Sequence, residues 1–175
     1  MTDPLASGTP LVIAAHGTRD KSGVAECRAL AERIAGKLPG IPVELGFVEL
    51  AEPGIPEAVR AAVAQAPKKP EEADGDEEPA AAVVVPLMFN TGGHVREDIP
   101  EAIDEGRGDA RVVYSAPLLP DVRMRKALSR RLSETLAAGE GREEWRSRDT
   151  AVVLVGRGAL VPDANASHYL SLMRF

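Results

Sequence analysis

Two of the three histidines in this chain stand just beyond an apolar run and beside glycine: His16 in LVIAAHGTRD and His94 in VVVPLMFNTGGHVREDIP. A third apolar run, Val43–Val48 (VELGFV), leads to Glu49, with Glu52 and Pro53 close behind. Imidazole and carboxylate are borderline to hard donors, and three or fewer protein ligands leave coordination positions free. A pair of histidines with a glutamate therefore suits exchangeable binding of a divalent transition metal. The same imidazoles titrate near physiological pH and serve equally as bases. A single loop histidine is more often a turn residue than a ligand; the weight here comes from two in the same setting. Glu49, nearer its strand end, is a better partner than Glu52, which shapes the turn into Pro53. His168 lies in an expected helix and reads as a surface residue, and Asp98 is accounted for equally well as a helix cap. Cys27 falls on the apolar stripe of the first helix and reads as a small core residue.

What must position these residues is a set of strands with their loops at one edge. LVIAA (Leu11–Ala15), VELGFV and the run beginning VVVP at Val83 are short and β-branched or aliphatic, as strands buried on both faces are. The run from Val83 reads as the central strand. Arg111–Ser115 (RVVYS) and Ala151–Val155 (AVVLV) read as a fourth and a fifth. Helices alternate with them. Val24, Cys27, Leu30, Ala31, Ile34 and Leu38 recur at spacings of three and four from Asp20 to the stop at Pro39–Gly40, and Ala58, Val59, Ala62 and Val63 mark a second helix over about Pro56–Ala66. Asp98, Pro100 and Glu101 start a third. Pro120 and Asp121 open a long fourth, with Met124, Ala127, Leu128, Leu132 and Leu136 as its stripe. This alternation predicts a three-layer α/β domain with a mainly parallel sheet flanked by helices. In such sheets the loops beyond the carboxyl ends of the strands line the ligand crevice, so His16, Glu49 and His94 are expected at one rim.

The 175 residues suit one domain, or one domain and the start of another. Residues 1–138 read as the first domain, 139–149 as a polar linker, and 150–175 as the strand and helix opening an incomplete repeat. LVIAAHGTRDKSGVAE set against VVLVGRGALVPDANAS aligns strand with strand, Gly17 with Gly158 and His16 with Arg157. Net charge is −6, yet residues 67–79, PKKPEEADGDEEP, hold six carboxylates against two lysines, so the body is close to neutral. That segment reads as an acidic surface insertion without apolar periodicity. A nucleic-acid partner would need a basic stripe and aromatic residues for stacking, and the sequence offers neither. No apolar run approaches the roughly 20 residues of a membrane span, and the start has no signal-peptide pattern. One cysteine excludes an internal disulfide framework; the expectation is a cytoplasmic protein.

Two further motifs carry less. Gly156-Arg157-Gly158 follows a strand, but Val161 and Pro162 stand where a dinucleotide fingerprint has its third glycine, so no nucleotide is expected. His16-Gly17 is similar to the opening of histidine phosphatases, where an arginine precedes the nucleophile; here that position is Ala15.

Taken together, LVIAAHGTRD, FVELAEPGIPEA, VVVPLMFNTGGHVREDIP, PLLPD and VVLVGRGALVPDAN closely resemble the sirohydrochlorin chelatases, the cobalto- and ferrochelatase members of the class II chelatases. The resemblance covers nearly the whole chain apart from the acidic insertion. It implies an ATP-independent enzyme that inserts Co2+ or Fe2+ into sirohydrochlorin on the way to cobalamin or sirohaem, with the metal as substrate. Ni2+ is a third ion that such ligands accept. It implies two similar α/β halves facing a cleft, built from one long chain or from two short chains as a homodimer. By motif, His16 and His94 match the metal-binding and catalytic histidines, and Glu49 matches the acidic residue that assists them. Arg19, Arg96 and Arg157, near the same loops, are candidate anchors for the carboxylates of the substrate. Where relatives carry a polar run after Gly-Arg-Gly, this chain has Ala159, Leu160 and Val161. A second reading is a non-catalytic metal- or tetrapyrrole-binding protein with a truncated second half.

Overall fold

Leu11–Ala15 (β1) is buried at every residue, and Ala82–Pro86 (β3) at all but one. Strands with two apolar faces belong inside a sheet. In the computed structural model, which describes residues 8–67, 79–119, 121–137, 151, 153, 155 and 165–166, these two strands are neighbours. The half-buried Val43–Phe47 (β2) and Val112–Tyr114 (β4) flank them, in the order β2-β1-β3-β4. All pairings are parallel, with Ile13 opposite Leu45 on one side and Val85 on the other.

Alternation along each strand divides the core into two layers. Val12, Ala14, Ala82 and Val84 face the helices Ile55–Ala64 (α2) and Ile99–Arg107 (α3), packing on Ile55, Ala58, Val59, Ala62, Ile99 and Ile103. Leu11, Ile13 and Val83 face the helix Lys21–Ala35 (α1), packing on Ala31, Ile34 and Leu38. This is the three-layer, parallel α/β arrangement expected. Gly46 of β2 permits the close approach of α2, since a Cβ there would lie 2.8 Å from Ile55 Cα.

Boundaries differ from the sequence pattern in ways the hydrogen bonds explain. Helix α1 is capped by Asp20, whose carboxylate accepts from the Ser22 amide at 3.0 Å and the Ser22 hydroxyl at 2.7 Å. These bonds, the hydroxyl's first, hold the Asp20 carboxyl below its usual range. The helix ends at Ala35, short of Pro39, because the Gly36 and Lys37 amides turn back to Glu32 and Ile34 and begin a series of tight turns. Along its stripe Ala31 alone is buried; Val24, Cys27 and Leu30 are half-buried, so Cys27 is not the core residue expected. The sheet residues meeting α1 lie toward its C-terminal half, and Cys27 and Leu30 instead line an open groove of about 630 Å³ on the helix. Helix α2 begins with Ile55 and ends at Ala64.

The chain divides into two compact units, Met1–Met88 with Gly93–Pro117, and Phe89–Gly92 with Leu118–Phe175. The first holds the sheet and α1–α3. The second contains Val122–Ala137 (α4), preceded by an Asp121 that pairs with Arg123 at 2.9 Å and is held at about 2 by that contact. The Leu119 amide donates to the Phe89 carbonyl at 3.0 Å. Of the fifth strand expected over 151–155, residues 151, 153 and 155 are described; they make no strand pairing, and Val153 and Val155 are exposed. Almost all of the acidic insertion, the linker, Arg157 and His168 lie outside the described residues. Among those described, no helix is long and apolar enough to cross a membrane.

Candidate metal site

Three adjacent strands of the first unit each deliver one residue to the same edge. His16 follows β1 directly, Glu49 lies two residues beyond β2, and His94 ends the loop after β3. The β1–β2 ladder continues past both strand ends: the Val48 amide donates to Ala15 at 2.9 Å and the Glu49 amide to His16 at 3.1 Å. Glu49 is thereby tied to the backbone of His16.

Gly17 makes this tie sterically feasible. Its φ is +91°, and a Cβ there would sit 1.8 Å from the Glu49 carbonyl oxygen. The loop behind Glu49 is closed from two directions, by the Phe47 amide donating to Pro53 at 2.9 Å and by Arg28 of α1 donating to the Glu52 carbonyl at 3.0 Å. The Glu52 side chain is exposed and outside the cluster. Leu50, beside Glu49, is the one non-glycine among the described residues with positive φ, 64°, and it is exposed.

His94 opens a single π-helical turn, His94–Asp98, in which the Ile99 amide reaches back to the His94 carbonyl. Such turns are rare and concentrate at functional sites. Val95 and Ile99 are buried and pin the turn to the core, while the Tyr114 hydroxyl of β4 donates to the Val95 carbonyl at 3.0 Å. Burial pushes the Tyr114 phenol up to about 12, so it stays a donor throughout the physiological range.

The result is one constellation. His16, Glu49 and His94 each offer a ligand atom, and these atoms all lie within 4.8 Å of one another. The two rings meet edge to face, with centroids 4.6 Å apart and planes at 86°. Their side chains and that of Glu49 are between 39 and 50% exposed, so the cluster is open to solvent. Nδ1 of His16 lies 3.1 Å from the Gly17 carbonyl oxygen and, more distantly, 3.9 Å from Glu49 Oε1. Nδ1 of His94 lies 2.5 Å from Asp98 Oδ2. Two imidazoles and one carboxylate are a donor set that fits a divalent ion held at few points.

The structure brings together His16, Glu49 and His94, the three residues that the sequence singles out. Arg19 and Arg96 are exposed, the first in the loop after His16 and the second on the π-turn. Asp98 was open to reading as a cap, but it makes no side-chain cap bond to α3 and turns to His94 instead. The contact of Asp98 with His94 and the Tyr114 hydrogen bond to the Val95 carbonyl are not among the sequence expectations. The i, i+4 spacing of His94 and Asp98 was the available signal for the first; the second has none in sequence.

A CbiX family model matches residues 10–135. The sirohydrochlorin ferrochelatase of Priestia megaterium is 31% identical over 151 residues, covering 84% of this chain and 49% of its own. The sirohydrochlorin cobaltochelatase of Sulfolobus acidocaldarius is 31% identical over 127 residues, covering 73% of this chain and 92% of its own. Among solved structures, the sirohydrochlorin chelatase SirB of Bacillus subtilis subspecies spizizenii, in complex with cobalt, matches with a TM-score of 0.58 at 27% identity, over 73% of this chain and 50% of that one. A cobalamin biosynthesis CbiX protein from Marinobacter aquaeolei VT8 shares the fold, with a TM-score of 0.55 at 24% identity, over 94% of its length. The chain thus spans about half the length of the bacterial ferrochelatase and of SirB, and nearly all of the shorter proteins.

Proposed function

The chain belongs to the CbiX family, and from that premise we propose that it is a sirohydrochlorin chelatase, inserting Co2+ or Fe2+ into the tetrapyrrole without ATP or another nucleotide, toward cobalamin or sirohaem. The observation that carries this reading is the meeting of His16, Glu49 and His94 at the carboxyl edge of three neighbouring strands.

In this reading the ion is a substrate. His16, His94 and Glu49 hold it at three points, and the remaining positions are open to the nitrogens of the macrocycle. Insertion requires two pyrrolic N–H protons to leave as the dianionic macrocycle takes the divalent ion. In this reading an imidazole released from the ion accepts one of them, and water reaching the half-exposed site takes the other. Ligation at few, exposed points suits transfer, because an ion held by a closed four-ligand site would not leave. Arg19, Arg96 and Arg157 are proposed to receive the substrate's carboxylates through charge-assisted hydrogen bonds. Ni2+ is an accepted third ion on donor chemistry. The second wall of the cleft is proposed to come from a second copy of the chain as a homodimer, a reading supported by the match over 92% of the shorter Sulfolobus acidocaldarius relative. The proposed compartment is the cytoplasm, supported by the lone cysteine.

The test is metal-dependent absorbance change in a mixture of purified protein, Co2+ and sirohydrochlorin. Acceleration over the spontaneous rate, reduced to that rate by His94→Ala, is expected. A wild-type rate equal to the spontaneous one contradicts the proposal.

A further inference from the structure

The geometry points to Asp98 as a positioning residue that fixes which nitrogen of His94 is offered to the metal, and we propose that it does so by holding the ring in its Nδ1–H form. This rests on the reading of His94 as a ligand and names a further residue of that site. A carboxylate can only accept, so a 2.5 Å contact to Asp98 Oδ2 places the proton on His94 Nδ1 and leaves the lone pair on Nε2. The nearest contact of His16 Nδ1 is likewise to a pure acceptor, the Gly17 carbonyl oxygen at 3.1 Å.

Two features of the backbone show that this contact is built. Asp98 has helical backbone angles, φ −64° and ψ −42°, and continues the π-turn into α3, so its carboxylate makes no cap bond and lies one turn beyond His94 on the same face. The His94–Asp98 segment is π-helical, the same turn that carries His94 at one end and Asp98 at the other. The turn is anchored independently of Asp98, by buried Val95 and Ile99 and by the Tyr114 hydroxyl on the Val95 carbonyl. Partners that orient a ligating histidine in this way typically carry about 10–100-fold of metal affinity.

The discriminating variant is Asp98→Asn, which preserves volume and the capacity to hydrogen-bond but can donate as well as accept, and so no longer dictates the tautomer. Long-range 1H–15N correlation of the histidine rings at mildly alkaline pH reads the tautomer without any metal, and Co2+ titration reads the affinity. The wild type is expected to show His94 as Nδ1–H. D98N is expected to show a mixture at His94, an unchanged His16, an unchanged thermal midpoint, and Co2+ affinity lower by about tenfold or more. A wild-type His94 protonated on Nε2, or a D98N protein that keeps the single tautomer and the wild-type affinity, overturns the proposal. A His94→Ala protein that binds Co2+ as the wild type does overturns the metal reading beneath it, and the assignment of Asp98 falls with it.

Discussion

His16, Glu49 and His94 owe their meeting to backbone ties as much as to side-chain chemistry, and Gly17 is where this is most exposed to test. With a φ of +91° and no room for a Cβ against the Glu49 carbonyl, Gly17→Ala is expected to lose about 1–3 kcal/mol from the left-handed backbone alone. It should also weaken Co2+ binding, because relief of the clash moves Glu49; urea denaturation and Co2+ titration check the two effects. Glu49→Gln, which keeps the shape and removes the charge, is expected to lower Co2+ affinity with little effect on the denaturation midpoint. Tyr114 makes a prediction about pH. Its folded pKa is raised from 10.0 to about 12, so the unfolded chain gives up its phenolic proton first as pH rises. The resulting contribution to stability is fully present below pH 10 and is lost as pH climbs toward 12. Wild type should therefore lose more stability than Tyr114→Phe between those limits, and parallel curves for the two proteins would contradict the burial of the phenol.

At the scale of elements, the π-turn and α3 act as one piece that hangs on Ile99. Ile99 is fully buried between α2 and the sheet, and Ile99→Ala should cost about 2–5 kcal/mol, measurable by denaturant titration. Because the same residue closes the turn that begins at His94, the variant should also weaken Co2+ binding at temperatures where it remains folded. Most elements were legible because burial is written in their composition: LVIAA and AVVVP have no polar face to turn to water, and the spacing of three and four in Ala58, Val59, Ala62 and Val63 commits α2 to the sheet. The site histidines were legible for the same reason, since each follows such a run. The π-turn was not. One added residue in a helical turn leaves no compositional trace, and Asp98 before Ile-Pro-Glu has the pattern of an ordinary cap. Cys27 reads as core yet is half-buried, because periodicity identifies the apolar face of α1 but not how far along the helix the sheet extends.

For the whole molecule, the parallel order β2-β1-β3-β4 explains why a site can form from residues distant in sequence: parallel neighbours bring their following loops to a common rim. Nothing in that logic involves the acidic segment between α2 and β3. The ends flanking it are secured separately, by the Gln65 and Ala66 amides on Ala62 and Val63 and by the Ala81 amide on Arg111 at 2.8 Å. Replacing residues 68–78 with a short Gly-Ser linker is therefore expected to leave Co2+ affinity and the denaturation midpoint unchanged, since loop closure depends only weakly on length. Sedimentation of the 175-residue chain should give twice the 18.5 kDa monomer mass if a second copy supplies the facing half of the cleft; a monomer that still metallates sirohydrochlorin would contradict that arrangement. The central claim is that His16, Glu49 and His94 share one divalent ion, and anomalous scattering at the cobalt edge from crystals grown with Co2+ tests it most directly. The account predicts a single strong peak within bonding distance of all three side chains; a peak bound elsewhere, or one that persists unchanged in crystals of His16→Ala, would contradict it.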